Sequence, residues 1–526
     1  MPSLNNIELS LFSSRINAIC EEMGEVLRLS AFSPNIKDRL DFSCAIFDAS
    51  GQLCAQAAHI PVHLGSMAYA MQDIVSQVTW LEGDMIVLND PYKGGTHLPD
   101  VTIIAPLFLA TNSQSNRANK KQLIAFIVNR AHHADIGAST PGSMPLSSSL
   151  EEEGLILSLE KIVQNFQLDK NILSSICNHM SDKTASGGDF MAQISANKAG
   201  LARLKELITS MQSSSFKQAV EQLNSYAERI ALSSITTIPS GKYEFIDYLD
   251  DDGQGKQQIA IQVSIEVSEK QINVDFSGTE KQVSGNINCP LSVTAAAVYY
   301  VFRCLMPDYT PACAGTFSLI HIKAPKGCLI NAIYPAAVAA GNVETSTRIV
   351  DVLLGALVKA IPDKIPAASY GTMNNIAMGN NQSQRQAWNY YETIGGGMGA
   401  SFNANGLTAV QAHMTNTLNT PVESLEYHFP MRIKSYSIRQ NSGGIGDFTG
   451  GNGIIRQYEM LQQTEVTLLT ERRINAPWGL GGAINAQSGE NWLDQKRLVG
   501  KTHFTAEPGQ VLTIKTPGGG GFSVKA

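Results

Sequence analysis

The spacing of apolar residues changes along this chain, and this change constrains the fold more than any other feature. Between residues 6 and 31, apolar side chains recur at helical spacing, whereas 85–88 and 123–128 are short, β-branched apolar runs that end in turn-forming residues. The first pattern is typical of an amphipathic helix, and the second is typical of buried strands. We therefore expect the N-terminal part of the chain to mix strands with helices.

The rest of the chain divides into two regions of different character. Long Leu, Ile and Ala periodicity with charged faces predicts helices at 191–211 and 216–232, and later strand-length runs separated by turn residues predict a meander. Clusters of glycine punctuate the last part of the chain and indicate tight turns and close backbone approach. The predicted fold class is α+β and multi-domain, with a mixed strand and helix region at 1–150, a helix-rich region at 151–238 and a β-rich region at 239–526.

The composition sets limits on location and partners. With 526 residues, 43% of them hydrophobic and 16% charged, the chain is typical of a large, tightly packed enzyme of roughly three domains. The formal net charge of -7 argues against a nucleic-acid binder, and no apolar run is long enough to span a membrane. Eight cysteines without a Cys-x-x-Cys pair predict buried free thiols. We therefore expect a cytoplasmic protein that binds neither nucleic acid nor a membrane.

Each of the two N-terminal strand runs leads into a His-x-x-Asp step. His97 and Asp100 form the first step, and His132 and Asp135 form the second. Loops that leave neighbouring strands would bring two imidazoles and two carboxylates together, a donor set that suits a divalent ion such as Mn, Zn or Fe. The alternative interpretation is a hydrogen-bonded structural network around ordinary loops, because His-x-x-Asp also arises by chance.

Motifs for several other kinds of chemistry are missing from the sequence. It contains no Gly-x-Ser-x-Gly nucleophile elbow and no His-Glu-x-x-His zinc motif. None of the glycine clusters continues into the Gly-Lys-Ser/Thr step of a phosphate-binding loop. We therefore expect no ATP site on this chain.

Long and specific blocks of sequence, spread over nearly the whole chain, carry a family resemblance. The blocks are 39–48, 59–67, 89–100, 132–137, 139–145, 275–279, 342–346, 442–446 and 517–522. Together they resemble the hydantoinase B/oxoprolinase family. That family includes N-methylhydantoinase B subunits, the C-terminal half of ATP-dependent 5-oxoprolinases, and subunits of acetone- and acetophenone-type carboxylases.

This resemblance implies a division of labour between two chains. In the family, a hydantoinase A-type subunit or domain binds ATP with magnesium, and the B-type chain carries the substrate site and, in the carboxylases, a metal. The carboxylase ligands resemble the two His-x-x-Asp steps and fall on His97, Asp100, His132 and Asp135. We therefore expect a divalent metal (Mn, Zn or Fe) on this chain. We also expect a hetero-oligomer, built on homodimers, with an A-type ATPase that holds ATP and magnesium.

The second histidine block indicates which branch of the family the chain resembles. The tandem His132-His133-Ala134-Asp135 and the following 141–145 look more like the cyclic-amide hydrolases than the ketone carboxylases. The implied reaction is ATP-dependent opening of a cyclic amide, such as a hydantoin or 5-oxoproline, with this chain as the metal-containing substrate subunit. Two alternatives remain, namely a ketone-carboxylase subunit and a non-catalytic partner that only orders the ATPase.

Three further histidines are candidate catalytic residues, because histidine titrates near neutral pH. His133 would transfer protons or support the metal ligand beside it, or would simply be hydrogen-bonded in its loop. His59 and His63 are candidates for acid-base work, with a structural role as the alternative. Arg39 and Asp41 are expected to form an ion pair that shapes the floor of the pocket.

Overall fold

The computed structural model describes residues 4–57, 59–110, 121–211, 213–380 and 387–524. Over these residues, helices and four β-sheets share the chain, which confirms the predicted α+β, multi-domain class. The region boundaries after residues 150 and 238 stay predictions.

The helices within the described residues are as follows. They are α1 (Asn6–Ser30), α2 (Pro34–Lys37), α3 (Pro61–Gln77), α4 (Lys170–Cys177), α5 (Lys183–Met211), α6 (Ser213–Ile235), α7 (Leu291–Cys304), α8 (Ser346–Leu357) and α9 (Val422–His428). Local chemistry sets the start of the first long helix, where Asn5 and Glu8 form a capping box. Pro61 begins α3, because its fixed backbone angle suits the first helical position.

The strands within the described residues run along the whole chain. They are β1 (Phe42–Asp48), β2 (Leu53–Gln56), β3 (Met85–Leu88), β4 (Asp100–Ala110), β5 (Lys121–His132), β6 (Glu160–Gln164), β7 (Gln167–Leu168), β8 (Gly241–Asp251), β9 (Gln257–Val267), β10 (Ile272–Asp275), β11 (Ile320–Lys323), β12 (Asn375–Asn380), β13 (Trp388–Glu392), β14 (Met431–Arg439), β15 (Gly453–Met460), β16 (Thr464–Leu469), β17 (Glu490–Leu493), β18 (Lys496–Leu498), β19 (Lys501–Ala506) and β20 (Val511–Lys515). The two N-terminal strand runs, the paired middle helices and the meander predicted from the sequence are all present.

The first sheet has the strand order β2-β1-β5-β4-β3-β6-β7 and carries helices on both faces. Ile127 of β5 packs in a core with α1, α5 and α6, while Phe126 and Val128 pack in a core with α3, because successive side chains point to opposite faces. Burial of both faces explains why the run is continuously apolar. The expectation that the two apolar runs are neighbouring strands is wrong. Strand β4 lies between β3 and β5, because the chain turns back after His97.

Three smaller sheets make up the C-terminal half. The sheet β11-β10-β9-β8 packs against α7 and α8, and the sheets β13-β12-β16-β19 and β14-β15-β20-β17-β18 enclose a common core. A Cβ atom on Gly399 would lie 1.8 Å from the carbonyl oxygen of Ala367, and one on Gly519 would lie 1.9 Å from that of Met398. The close backbone approach predicted for the glycine clusters is therefore confirmed at these positions.

The structure also bears on the expectations about membrane-spanning segments and cysteines. No helix in the described part of the chain combines the length and the apolar character needed to cross a membrane. All eight cysteines are unpaired, which confirms the free thiols, and burial is confirmed for every one except Cys304, which is exposed.

Candidate metal centre

The two His-x-x-Asp steps meet at one end of the β4–β5 hairpin. Asp100 is the first residue of β4 and His132 is the last residue of β5, and the two are partners across the antiparallel ladder. His97 lies in the connection between β3 and β4, and its carbonyl accepts a hydrogen bond from the backbone N–H of Asp100. The turn and the strand pairing together bring three side chains to one point.

Three donor atoms there form a nearly equilateral triangle. His97 Nε2 lies 3.3 Å from His132 Nδ1 and 3.3 Å from Asp100 Oδ1, and His132 Nδ1 lies 3.2 Å from the same oxygen. Ligands bound about 2.1 Å from one ion at tetrahedral or octahedral angles lie roughly 3.0–3.4 Å apart. The residues therefore fit a divalent ion that accepts two nitrogens and one oxygen.

Neighbouring groups fix the orientation of His97. Its Nδ1 lies 3.0 Å from the carbonyl oxygen of Ala339, so Nδ1 carries the proton and Nε2 presents a lone pair to the triangle. Burial lowers the pKa of His97, but the Asp100 carboxylate, the Ala339 carbonyl and Glu153 together outweigh burial, and the net shift is upward. Glu153 holds the segment that supplies this carbonyl, because its Oε1 accepts from the backbone N–H groups of Val338 and Ala339, each at 2.8 Å.

His132 is held by an aromatic neighbour. Its ring lies nearly parallel to that of Tyr391, with centroids 4.6 Å apart, and the Arg39 guanidinium lies 4.8 Å from the centre of the same tyrosine ring. Burial lowers the pKa of His132, which favours the neutral imidazole that metals bind. Among the described residues, its Nε2 is buried without a hydrogen-bond partner.

The second carboxylate oxygen of Asp100 is anchored by three side chains. It accepts from Thr96 Oγ1 at 2.5 Å and from Asn342 Nδ2 at 2.9 Å, and it lies 3.2 Å from His63 Nε2. Burial alone would raise the pKa of Asp100, but the charges of His63 and His97 lower it well below its ordinary value. The carboxylate is therefore ionised, which is the form that binds a cation.

His63 joins the site from the first turn of α3, with Asp41 behind it. Asp41 lies 3.9 Å from His63 Nε2 and 3.6 Å from an Arg39 nitrogen, so the predicted pair between Arg39 and Asp41 forms. Asp41, His63 and the three triangle residues line a cavity of about 20 Å³, which we call the inner cavity. It has room for about one water molecule.

Asp135 lies apart from the triangle. Its Oδ1 accepts from the backbone N–H of Gly137, and its Oδ2 accepts from the backbone N–H and the hydroxyl of Ser181, all at 2.7 Å. The hydroxyl of Ser143 and the amide of Asn389 add longer bonds of 3.2 Å and 3.4 Å. The structure thus brings together three of the four expected ligands, while the ligand role of Asp135 stays a prediction that this geometry does not support.

The remaining two candidate histidines lie outside the inner cavity. His133 turns towards α5, where its Nε2 lies 2.9 Å from Gln193 Oε1 and its ring packs 4.5 Å from Phe190. Burial lowers the pKa of His133. His59 packs edge-on against Phe42 at 4.9 Å, and burial lowers its pKa to about 4.

A larger cavity of about 410 Å³ adjoins the inner one, and we call it the outer cavity. Thr415 lines both cavities, and His59 and His63 lie on the segment between them, with His59 lining the outer cavity and His63 the inner. The outer cavity is lined by Gln56, His59, Pro61, Leu64, Gly65, Ala296, Tyr299, Tyr300, Arg303, Phe317, Met398, Gln411, Ala412, His413, Thr415 and Asn416. The candidate metal centre therefore has a pocket of small-molecule size beside it.

Several residues of the site were not predicted from the sequence. Thr96 and Asn342 anchor Asp100, Tyr391 stacks on His132, and Glu153 supports the partner of His97. Thr96 and Asn342 lie in blocks that carry the family resemblance, so those blocks contained a usable signal. Tyr391 and Glu153 lie outside the blocks, and only the fold brings them to the site.

Comparison with known sequences gives relatives over the full length of the chain. The chain is 38% identical to protein MJ0963 of Methanocaldococcus jannaschii, over 99% of this chain and 91% of that protein. It is 37% identical to 5-oxoprolinase 1 of Arabidopsis thaliana, over 98% of this chain but only 42% of the plant protein. It is 30% identical to a putative D-/L-hydantoinase B subunit of a Pseudomonas species, over 99% of this chain and 90% of that protein.

Two solved structures share the fold. The ATP-dependent caprolactamase from Pseudomonas jessenii superposes with a TM-score of 0.91 at 24% identity, over 99% of this chain and 92% of that chain. Nucleotide-free acetone carboxylase superposes with a TM-score of 0.89 at 16% identity, over 98% of this chain and 75% of that chain. A family model described as hydantoinase B/oxoprolinase matches residues 5–524. The resemblance found in the sequence blocks is therefore confirmed, and the chain belongs to the hydantoinase B/oxoprolinase family.

Proposed function

We propose that this chain is the metal-containing substrate subunit of an ATP-dependent cyclic-amide hydrolase, which opens a hydantoin or 5-oxoproline ring together with a hydantoinase A-type ATPase. The observation that carries this proposal is the triangle of His97, Asp100 and His132 donors beside a cavity of about 410 Å³. The names of two relatives, a 5-oxoprolinase and a hydantoinase B subunit, support the choice of reaction.

The reaction breaks the amide C–N bond of the ring. The oxygen of a water molecule adds to the carbonyl carbon, the ring nitrogen leaves with a proton, and hydrolysis of ATP to ADP and phosphate on the partner makes the opening favourable. A divalent ion (Mn, Zn or Fe) held by His97, Asp100 and His132 would polarise an oxygen on this carbon or lower the pKa of the attacking water.

The three further histidines take different roles in this proposal. His63 is the acid-base group, because its Nε2 faces Asp100 at 3.2 Å and its buried Nδ1 has no partner among the described residues. His59 is neutral at pH 7 because burial lowers its pKa to about 4, so it acts from the outer cavity as a hydrogen-bonding group. His133 is a positioning residue, because its backbone N–H donates to the Pro99 carbonyl and its ring contacts Gln193.

The partner supplies the nucleotide site in this proposal. The chain spans 42% of the plant 5-oxoprolinase and 90% of the Pseudomonas hydantoinase chain, so oxoprolinases have room for an A-type part in the same chain. ATP and magnesium would bind on that partner, in a hetero-oligomer built on homodimers. Eight unpaired cysteines fit a reducing, cytoplasmic location.

A ketone-carboxylase subunit is the second candidate function. It is favoured by the superposition on acetone carboxylase, with a TM-score of 0.89, although the identity of 16% shows the fold alone. A third candidate, a non-catalytic partner that only orders the ATPase, has no use for three converging donors.

The test compares the wild-type complex with a His132→Ala complex, each co-expressed with an A-type partner. We expect the wild type to open hydantoin or 5-oxoproline only with ATP, and His132→Ala to lose turnover while the partner still binds ATP. His428→Ala, at an exposed histidine of α9, is the matched control. A complex that opens neither ring but fixes bicarbonate onto acetone would move the assignment to the carboxylase branch.

A further inference from the structure

The outer cavity has a single fixed charge. Arg303 is the one lysine, arginine, aspartate or glutamate among its described lining residues. Burial lowers the pKa of His59 to about 4 and also lowers that of His413, so both imidazoles are neutral at pH 7. A lone cation in a half-enclosed pocket attracts an anionic ligand.

The guanidinium of Arg303 is held in place before any ligand arrives. Its Nη1 donates to the Pro307 carbonyl at 3.2 Å, and its Nη2 donates to the carbonyls of Asp308 and Thr310, each at 3.1 Å. These bonds lie at the C-terminal end of α7, and the Nε–H has no partner in the part of the chain that the structure describes. Arg303 also forms no ion pair with any described acidic residue. A rigid cation with a spare donor is preorganised to bind a carboxylate.

The cavity also has unused hydrogen-bonding capacity. Gln56 Oε1, Gln411 Nε2, His413 Nε2 and Thr415 Oγ1 are buried without partners among the described residues. Tyr300 lies 3.3 Å from His413 Nδ1, and donation by its hydroxyl leaves the proton of His413 on Nε2. Buried polar atoms are normally satisfied, so their concentration around one cavity indicates a polar ligand with both a donor and an acceptor. A ring amide has both.

Apolar side chains complete the walls. Tyr299 and Phe317 stack with their ring centroids 4.4 Å apart, and Leu64 and Ala296 from α3 and α7 lie beside them. A five-membered ring needs such a surface for its CH₂ groups, while its polar atoms face the hydrogen-bonding groups. Thr415, shared with the inner cavity, connects this pocket to the metal centre.

We propose that the outer cavity binds the substrate and that Arg303 selects cyclic amides that carry a carboxylate over neutral ones. This inference rests on the proposed function and narrows its substrate class. Arg303 is therefore a specificity-determining residue. The competing explanation is that Arg303 only closes the turn after α7, since the three carbonyls that it binds belong to that turn.

The test measures kcat/KM of the complex for 5-oxoproline and for 2-pyrrolidinone, which has the same ring without the carboxylate. We expect the wild type to prefer 5-oxoproline. Arg303→Met should reduce this preference about 10- to 100-fold, mainly through KM for 5-oxoproline, because it removes a charge-assisted hydrogen bond. Arg303→Lys should restore part of the preference. Arg28→Met, at an exposed ion pair, is the control for loss of a positive charge.

Each outcome has a separate meaning. Use of the same complex for both substrates cancels any loss of folded enzyme, so only the ratio of the two kcat/KM values reports on Arg303. Equal use of both rings by the wild type, or an equal loss for both rings in Arg303→Met, would overturn the selective role of Arg303 but leave ring opening intact. If hydantoin is opened but neither of these two rings is, only this inference fails. If none of the three rings is opened while the partner hydrolyses ATP, the proposed function fails, and this inference fails with it.

Discussion

Two buried clusters of charged residues in this protein differ in what balances their charge. At the junction of β8, α8 and the C-terminal sheets, the buried carboxylates of Asp247, Asp351 and Glu471 each meet a cation. Arg472 lies 2.8 Å from Asp247 and 2.5 Å from Asp351, and Lys501 lies 2.5 Å from Glu471. We call these residues, together with Arg348, the ion-pair cluster.

The candidate metal centre has no fixed cation to balance the charge of its carboxylate. The Asp100 carboxylate is surrounded by His63, His97 and His132, and no described lysine or arginine lies within ion-pair distance of it. Burial of a carboxylate is therefore not what distinguishes a candidate metal site, because carboxylates are buried in both clusters. The convergence of donor atoms without a fixed cation distinguishes the metal centre and leaves it suited to a divalent ion.

The largest expected difference between the two clusters is the effect of a substitution on the free energy of unfolding. Arg472→Met removes the cation between two buried carboxylates, so we expect a loss of about 3–5 kcal/mol in the free energy of unfolding. Urea unfolding should show the same loss with and without a chelator. Asp100→Asn should instead abolish only the stabilisation that added metal gives. A chelator-dependent loss in Arg472→Met would break the distinction between the clusters.

The second expected effect concerns the support of His97. Glu153→Ala removes the acceptor that fixes the Val338 and Ala339 backbone, and so loosens the carbonyl that orients the His97 ring. Metal affinity should fall roughly 10- to 100-fold. Titration with Zn or Mn followed by calorimetry measures the change. Glu152→Ala, at the exposed neighbour, is the control. Equal metal affinity in the wild type and in Glu153→Ala would show that Glu153 does not support His97.

The smallest effect concerns a carboxyl group between the clusters. Glu344 follows Asn342 in the turn before α8, and burial raises its pKa to about 7. Because the folded protein holds this proton more tightly than the unfolded chain does, Glu344 contributes stability below about pH 4.5 that is lost as the pH rises through about 7. Glu344→Gln should therefore gain stability relative to the wild type over that range. The same pH dependence of the free energy of unfolding in both proteins, measured with urea, would contradict the raised pKa of Glu344.

The sequence predicted the local parts of the site and not the long-range ones. Strand periodicity and the His-x-x-Asp steps were sufficient to select His97, Asp100 and His132, because each lies at the end of a predicted strand or in the turn between two. The two His-x-x-Asp steps have the same spacing, but their backbones follow different paths. The first spans a turn into β4, whereas the second runs past the end of β5 into the turn at Gly137, which carries Asp135 to Ser181.

The rest of the centre depends on contacts between distant parts of the chain. Asn342 reaches Asp100 across 242 positions, and Tyr391 reaches His132 from a sheet in the C-terminal half. Apolar periodicity contains no information about such pairs, so it could not predict them. The expectation that β3 and β5 are neighbouring strands was wrong for the same reason. Only the strand pairing shows that β4 lies between them.

The metal content of the purified chain tests the central claim most directly. Elemental analysis should find about one divalent ion per chain in the wild type and in Asp135→Asn, because the Asp135 carboxylate bonds to Gly137 and Ser181 and not to the triangle. Asp100→Ala should lose the ion, because it removes the only oxygen of the triangle. Equal metal content in the wild type and in Asp100→Ala would contradict the account.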